Sequence, residues 1–271
     1  MLTFLFWNLR GNPLESLVGT LSKEHAVDIL ILAECSIQIE TLLDSVNDAA
    51  GATFTQVFTP TDRIVIFSRL QRDAVTPVKD VGGQFLVRKV KPPAGEEILL
   101  AVAHLSSKMH VTSDEQAQLC TRYARHLDSV ENEVGHSRTI VIGDLNMNPF
   151  EDGLVSSEGF HAVMSRKLAK EGSRTVHEQS RKFFYNPMWS RFGEHPHRPP
   201  GTYFYRGSVI SYFWNIYDQV LVRPELLNRF DDDGLSVLTK AGPNNLASAT
   251  GAPDKKSASD HFPILLKLKA I

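Results

Sequence analysis

At 271 residues, 42% of them apolar and 22% charged, the chain has the make-up of a soluble globular protein, long enough for one large domain or two ordinary ones. Two scattered cysteines, Cys35 and Cys120, exclude a disulfide framework or a cysteine-based zinc site and point to a reducing, cytoplasmic setting. The formal charge of −2 gives no sign of a polyanion partner. No apolar run nears the ~20 residues that cross a bilayer.

Residues 2–7 are a short apolar run rich in aromatics, expected to form a buried strand that ends in Asn8. They are too short for a signal h-region and have no basic flank before them. After the loop Arg10-Gly11-Asn12-Pro13, the spacing of Leu14, Leu17, Val18 and Leu21 predicts a helix reaching about His25. Residues 27–33 read as a second buried strand ending at Glu34, with Cys35 as a buried thiol. Ser36 is placed to cap a helix whose apolar face is Ile39, Leu42, Leu43 and Val46, closed by Gly51.

Strands are expected at 54–58, 63–67, 75–78, 84–90 and 98–103, with Pro92-Pro93-Ala94-Gly95 as a hairpin turn. A polar loop leads from His104 to Ser113, the expected cap of a helix facing inward through Ala117, Cys120, Ala124, Leu127 and Val130. Residues 139–142 then form a strand that ends in Gly143-Asp144-Leu145-Asn146. Side chains two apart on an extended chain point the same way, so Asp144 and Asn146 are presented together at its lip. Pro149 cannot continue a central strand, and the chain turns there. Residues 151–215 have weak periodicity. A strand at 217–222, a polar turn at Asp231-Asp232-Asp233-Gly234 and a last strand at 263–268 complete the chain. Many short strands with few helices, and no composition break, favour one domain: an α/β sandwich of two sheets with helices outside.

Polar residues recur where these strands meet loops: Asn8, Glu34, His104, Asp144 with Asn146, Asp218, and Asp260-His261. One such case is a turn. Six suggest a shared rim, and clustered carboxylates there need a cation to offset their repulsion.

The ordered segments Phe6-Trp7-Asn8, Leu32-Ala33-Glu34, Ala103-His104-Leu105, Gly143-Asp144-Leu145-Asn146, Tyr217-Asp218-Gln219-Val220 and Ser259-Asp260-His261-Phe262-Pro263 resemble the endonuclease/exonuclease/phosphatase superfamily, typified by deoxyribonuclease I and the apurinic/apyrimidinic endonucleases. They span nearly the whole chain. The Gly-Asp-x-Asn and Ser-Asp-His-x-Pro segments are the most specific. Ala33 departs from the pattern, since many members have Gln before the glutamate.

The resemblance implies a four-layer sandwich of two mixed β-sheets flanked by helices, and hydrolysis of phosphate esters with Mg²⁺, or Mn²⁺, on hard oxygen ligands. It implies Glu34 as the principal metal ligand, with Asn8 and Asp260 completing or supporting the site. Asp144 would aim and deprotonate the attacking water or ligate a second metal, and both roles stay open. Asn146 would bind the scissile phosphate. His261, oriented by Asp218, would donate to a phosphate oxygen, and His104 would contact phosphate or act near the leaving oxygen. Asp62 is one candidate carboxylate partner for His104.

The substrate clue is in residues 160–217, an insertion expected to overhang the metal site. They hold nine Lys/Arg against three acids, leaving −8 for the remainder, and 13 of the 24 aromatics. Basic groups pair with phosphates and aromatic faces stack on bases, so nucleic acid is the expected partner, DNA before RNA. A phosphomonoesterase or a phospholipid or inositol-phosphate hydrolase is the alternative. A non-catalytic binding module is disfavoured, because all six polar positions are present.

Overall fold

A computed structural model describes residues 1–51 and 53–269. In chain order the first half contains β1 (Leu2–Asn8), α1 (Glu15–Glu24), β2 (Ile29–Ala33), α2 (Ile39–Ala50), β3 (Thr55–Val57), β4 (Ile64–Ser68), β5 (Val75–Val81), β6 (Phe85–Val90), β7 (Ile98–His104), α3 (Ser113–Val134) and β8 (Thr139–Asp144). The middle is built of short pieces: α4 (Asp152–Val155), β9 (Ala162–Val163), α5 (Arg166–Ala169), β10 (Ser173–Val176), β11 (Gln179–Lys182), β12 (Phe184–Tyr185), β13 (Tyr203–Phe204) and β14 (Trp214–Asn215). Then come β15 (Asp218–Val222), β16 (Phe230–Val237), β17 (Lys240–Ala241), β18 (Asn244–Asn245) and β19 (Ile264–Leu268).

Two mixed sheets dominate. One has the order β16-β19-β1-β2-β4-β3 and the other β5-β6-β7-β8-β15-β12-β9. Strand periodicity explains how they pack. Alternate residues of the central strands (Phe4 and Phe6, Ile29 and Ile31, Leu100 and Val102, Ile140 and Ile142, Val220 and Val222) form one apolar core between the sheets. The intervening residues face outward. Leu5, Leu30 and Phe67 meet α1 and α2 on one side. Leu99, Val141 and Leu221 meet α3 on the other. The result is helix, sheet, sheet, helix, a deoxyribonuclease I-like sandwich.

Two glycines are required by close approach. In α1, a Cβ on Gly19 would lie 2.8 Å from the Ser45 carbonyl oxygen of α2. Gly143 has φ +153°, and a Cβ there would lie 1.9 Å from the Ala103 carbonyl oxygen of the parallel neighbour β7. Gly143→Ala is therefore expected to destabilise the fold by about 3 kcal/mol, through steric overlap that backbone cannot relieve cheaply. A urea titration checks this, and an unshifted midpoint would contradict it.

Several local expectations are corrected. Ser36 does not cap α2: its hydroxyl donates to the Gly11 carbonyl at 2.6 Å, and the N-cap is Gln38 without a side-chain bond. Thr112, not Ser113, caps α3, in a reciprocal capping box with Glu115. Cys35 is half-buried rather than buried. The Asp231–Gly234 stretch is not a turn but the bulged middle of edge strand β16, where the register slips between Phe230 and Leu235. Polar sequence signalled an edge exposed to water, and was read as a break in the chain.

The 151–215 segment divides in two. Phe183, Phe184 and Tyr185 are buried in core. Arg166 and Arg191 tie to Asp232 and to carbonyls of β16, while Arg181 and Lys182 pair with Glu158 and Glu131. Those four cations tie the segment to the edge of the first sheet and to the α3 side of the second, and are not free to meet a polyanion. Residues 203–217 run along the end of the sandwich where Asp144 lies.

Candidate active site

The parity that builds the core also builds the site. Asn8 continues the inward row of Phe4 and Phe6, His104 that of Leu100 and Val102, Asp144 that of Ile140 and Ile142. Asp218 begins the row of Val220 and Val222. Each strand therefore carries an apolar stripe between the sheets and changes to a polar residue at one end. Register aligns them: Asp144 is the partner of His104 in the parallel ladder and of Asp218 in the antiparallel one. Across the seam, Asn8 of β1 lies beside the end of β2, where Glu34 leaves the strand in a left-handed conformation with φ +48°.

Side-chain contacts knit the two sheets together at this seam. Asn8 Nδ2 donates to Glu34 Oε1 at 3.0 Å and to Asp144 Oδ2 at 3.1 Å. His104 Nε2 lies 3.4 Å from Glu34 Oε1. His261, just before β19, donates from Nδ1 to Asp218 Oδ2 at 2.8 Å, and its Nε2 lies 3.9 Å from Asp144 Oδ2. The His261 backbone is fixed as well: Trp7 Nε1 donates to its carbonyl at 2.9 Å, and its N–H donates to Ser259 Oγ at 3.2 Å. Ser259 in turn donates to the Asn8 carbonyl at 2.6 Å.

Asn146 stands on a turn. Its φ is +49°, its N–H donates to Asp144 Oδ1 at 2.9 Å, and its Nδ2 donates to the Leu105 carbonyl at 2.9 Å. The extended-strand argument that set it beside Asp144 therefore does not apply. An Asx-type turn does the placing, and one Nδ2–H is left over. Asp260 is ion-paired with Arg10 Nε at 3.1 Å, at the edge of the seam. His104 takes its carboxylate contact from Glu34, not from Asp62.

Burial and pairing set the protonation states. Burial opposes charge on His261, but the Asp218 carboxylate, then Asp144, outweigh it and raise the imidazole to about 10. Asp218 is pushed up by its own complete burial, so the pair keeps one proton between them. Hydrogen bonding from His104 holds the Glu34 carboxyl down at about 2. His104 is raised in spite of its burial, because Glu34 and Asp144 face it. Its Nδ1 is buried and meets no partner among the described residues.

A folded-state pKa raised above 6.5 stabilises the fold fully below 6.5, and that contribution is lost as pH rises through about 10. In metal-free protein the His261 ring is therefore expected to stay protonated through neutrality by NMR. A ring titrating near its ordinary value would contradict the pairing.

Could a metal be held here? Asp144, Asp218 and His261 each bring a ligand atom to within 4.8 Å of one another, all buried, and could chelate a divalent cation. Glu34 is a second candidate. Its side chain is 45% exposed and it is ionised, and Oε2 accepts no hydrogen bond among the described residues. The donors at the seam include oxygens that suit a hard cation, so the residues fit the group.

Sequence reasoning missed Arg10, Thr202 and Tyr203. Thr202 Oγ1 accepts the Asp218 N–H at 3.2 Å. The Tyr203 ring lies 4.7 Å from the His261 ring and 5.3 Å from Tyr217, with which it stacks. Arg10 was readable as a charged residue two positions beyond Asn8. Nothing local marked the other two.

Solved structures share this architecture. An AP endonuclease from Archaeoglobus fulgidus superposes with a TM-score of 0.57 at 17% identity, covering 100% of each chain. TDP2 from D. rerio, complexed with a single-strand DNA product, gives 0.57 at 14% over 99% of each. An endonuclease/exonuclease/phosphatase family protein from Leptotrichia buccalis gives 0.58 at 12%, over 99% of this chain and 100% of that one. At such identities the likeness speaks for the fold. A comparison with curated protein sequences finds no significant match. The profile of the Endonuclease/Exonuclease/phosphatase family matches residues 5–261, from the first strand to the histidine that closes the seam, and the chain belongs to that family.

Proposed function

We propose that the protein is a Mg²⁺-dependent phosphodiester hydrolase acting on nucleic acid, DNA before RNA, by in-line attack of water. The observation that carries this is the pairing of a protonated, Asp218-anchored His261 with Asp144 on the same seam as the ionised Glu34. It sets a proton donor, an acceptor of the water proton and a cation ligand around one cleft. When bound, Mg²⁺ would neutralise phosphate charge as a Lewis acid, held chiefly by Glu34 with Asn8 beside it. Asp260 supports the site less directly, because it already holds Arg10. Mn²⁺ fits the same ligands.

In this reading Asp144 takes the proton of the attacking water. His261 Nε2, turned toward Asp144, donates to a non-bridging phosphate oxygen as charge builds on it. The remaining Nδ2–H of Asn146 contacts the phosphate. His104 serves the leaving-group side, and Glu34 favours its protonated form against the effect of burial. We take residues 1–271 as one catalytic domain in which 151–215 is an insertion. Two unpaired cysteines, one of them buried, are consistent with the cytoplasm. No helix among the described residues is long and apolar enough to cross a membrane.

The test offers purified protein plasmid, single-stranded DNA, RNA and phosphoinositides, each with Mg²⁺ or EDTA. Metal-dependent shortening of nucleic acid is expected. Inorganic phosphate released from a phosphoinositide, with DNA and RNA left intact, would move the protein to the phosphatase branch of the family.

A further inference from the structure

Large apolar side chains are exposed around the mouth of the seam. They are Met109 on the loop after β7, Phe150 on the turn after β8, and Tyr205, Val209, Ile210 and Tyr212 on the excursion between β13 and β14. Val209 is 99% exposed, Tyr212 44% and Phe150 40%. Large apolar side chains exposed on neighbouring loops at one end of the sandwich are a candidate interaction site.

Part of this rim is a pre-ordered aromatic cluster. The Phe150 ring lies 5.9 Å from Phe192, 6.2 Å from Trp189 and 6.3 Å from Tyr212. Buried Asn148 fixes it to the catalytic strands. Its Nδ2 donates to Asn215 Oδ1 at 2.9 Å, and its Oδ1 accepts the Ile216 N–H at 2.9 Å, two residues before Asp218. The rings are thus held at a set distance from Asp144 and Asp218.

Charge narrows the occupant. Residues 9–12, 105–112 and 203–217 carry Arg10, Lys108 and Arg206 and no acidic residue; Arg10 is paired with Asp260, and Arg206 has no acidic partner among the described residues. Glu151, on the neighbouring turn, is neutralised by Lys108 at 2.5 Å. The Arg206 guanidinium lies 6.0 Å from both the Phe204 and Phe213 ring centroids, which are 6.5 Å apart, so a cation sits beside an edge-to-face aromatic pair. Rigid aromatic faces next to cations suit an anion that bears stackable rings. Duplex DNA keeps its base faces stacked on each other, so such faces gain contact only from unpaired bases.

We propose that this rim binds the unpaired bases of a single-stranded nucleic acid while the seam cleaves its backbone. The proposal rests on the nucleic-acid reading above and narrows it to single strands or frayed ends.

The test compares kcat/KM for a fluorescent oligonucleotide with kcat/KM for the same strand in a blunt duplex. Bis(4-nitrophenyl) phosphate reports the chemistry separately. The wild type is expected to favour the single strand by about 10-fold or more, and F150A/Y212A to lower that ratio by about 10-fold. V209S/I210S, on the exposed tip, is expected to lower it in the same direction and guards against misfolding of the first variant. Equal rates on both DNA forms, or a ratio unchanged in both variants, would overturn the proposal. So would turnover of the small diester with neither oligonucleotide cut, which leaves the phosphodiesterase reading standing. Failure on the small diester as well would count against that reading itself. Sedimentation with phosphatidylserine vesicles, lost in V209S/I210S, would instead assign the rim to a lipid surface and overturn the proposal.

Discussion

His261→Ala is expected to lower kcat/KM for a phosphodiester by about 10³-fold, the scale of losing a proton donor together with a contact to developing phosphate charge. The substitution has a second consequence. Asp218 is fully buried, and His261 is the counter-ion it has. Removing the imidazole leaves a carboxylate without compensation, which typically destabilises a fold by about 3 kcal/mol. Low activity in the variant then has two sources, lost chemistry and lost stability. Asp218→Asn/His261→Ala separates the two effects, because a neutral amide needs no counter-charge. The double variant should regain much of the stability and none of the rate. Near-wild-type turnover in folded His261→Ala would remove this histidine from the mechanism.

Glu34→Gln keeps shape and removes charge, and is expected to cost about 10³-fold at a fixed, sub-saturating Mg²⁺ concentration. Part of that loss should be recovered at higher Mg²⁺, as expected for a ligand and not for a purely structural residue. The same substitution has a readout without activity. Glu34 raises the His104 pKa by hydrogen bond and by charge, so in Glu34→Gln that ring should titrate lower by NMR. An unmoved His104 resonance would separate the two residues and dissolve the link across the seam.

Much of this was legible in the sequence because strand parity carries over into three dimensions. Apolar runs at 2–7, 98–103 and 139–142 gave the central strands, and the polar residue ending each one fell on the same inward row as the core. Asn8, Glu34, His104, Asp144, Asp218 and His261 do come together. The family motifs supplied the order in which they meet. What sequence could not supply is which partner each chose. Asp62 and Glu34 are equally plausible beside His104 when distance along the chain is the only measure, and only the parallel pairing of β1 with β2 brings Glu34 there. The resemblance put Asp260 at the metal site, and no local signal shows that Arg10, 250 positions away, is paired with it.

The charge count over the basic insertion was too coarse for a different reason. Counting charges treats each as free, yet Arg166, Arg181, Lys182 and Arg191 are bound to the sandwich. Composition records charge and not whether its partner is already present. The aromatics show the same division. Phe183, Phe184 and Tyr185 fill core, while Tyr203, Tyr205 and Tyr212 stand at the mouth.

The central claim is that the seam between the sheets is a metal-dependent phosphodiesterase centre. Its most direct test is a Mg²⁺ titration of protein stripped with EDTA, following hydrolysis of bis(4-nitrophenyl) phosphate, with Glu34→Gln in parallel. The account predicts no turnover in EDTA, saturable recovery with Mg²⁺, and a saturation midpoint moved to higher Mg²⁺ in the variant. Turnover that persists in EDTA, or a midpoint that Glu34→Gln leaves in place, would contradict it.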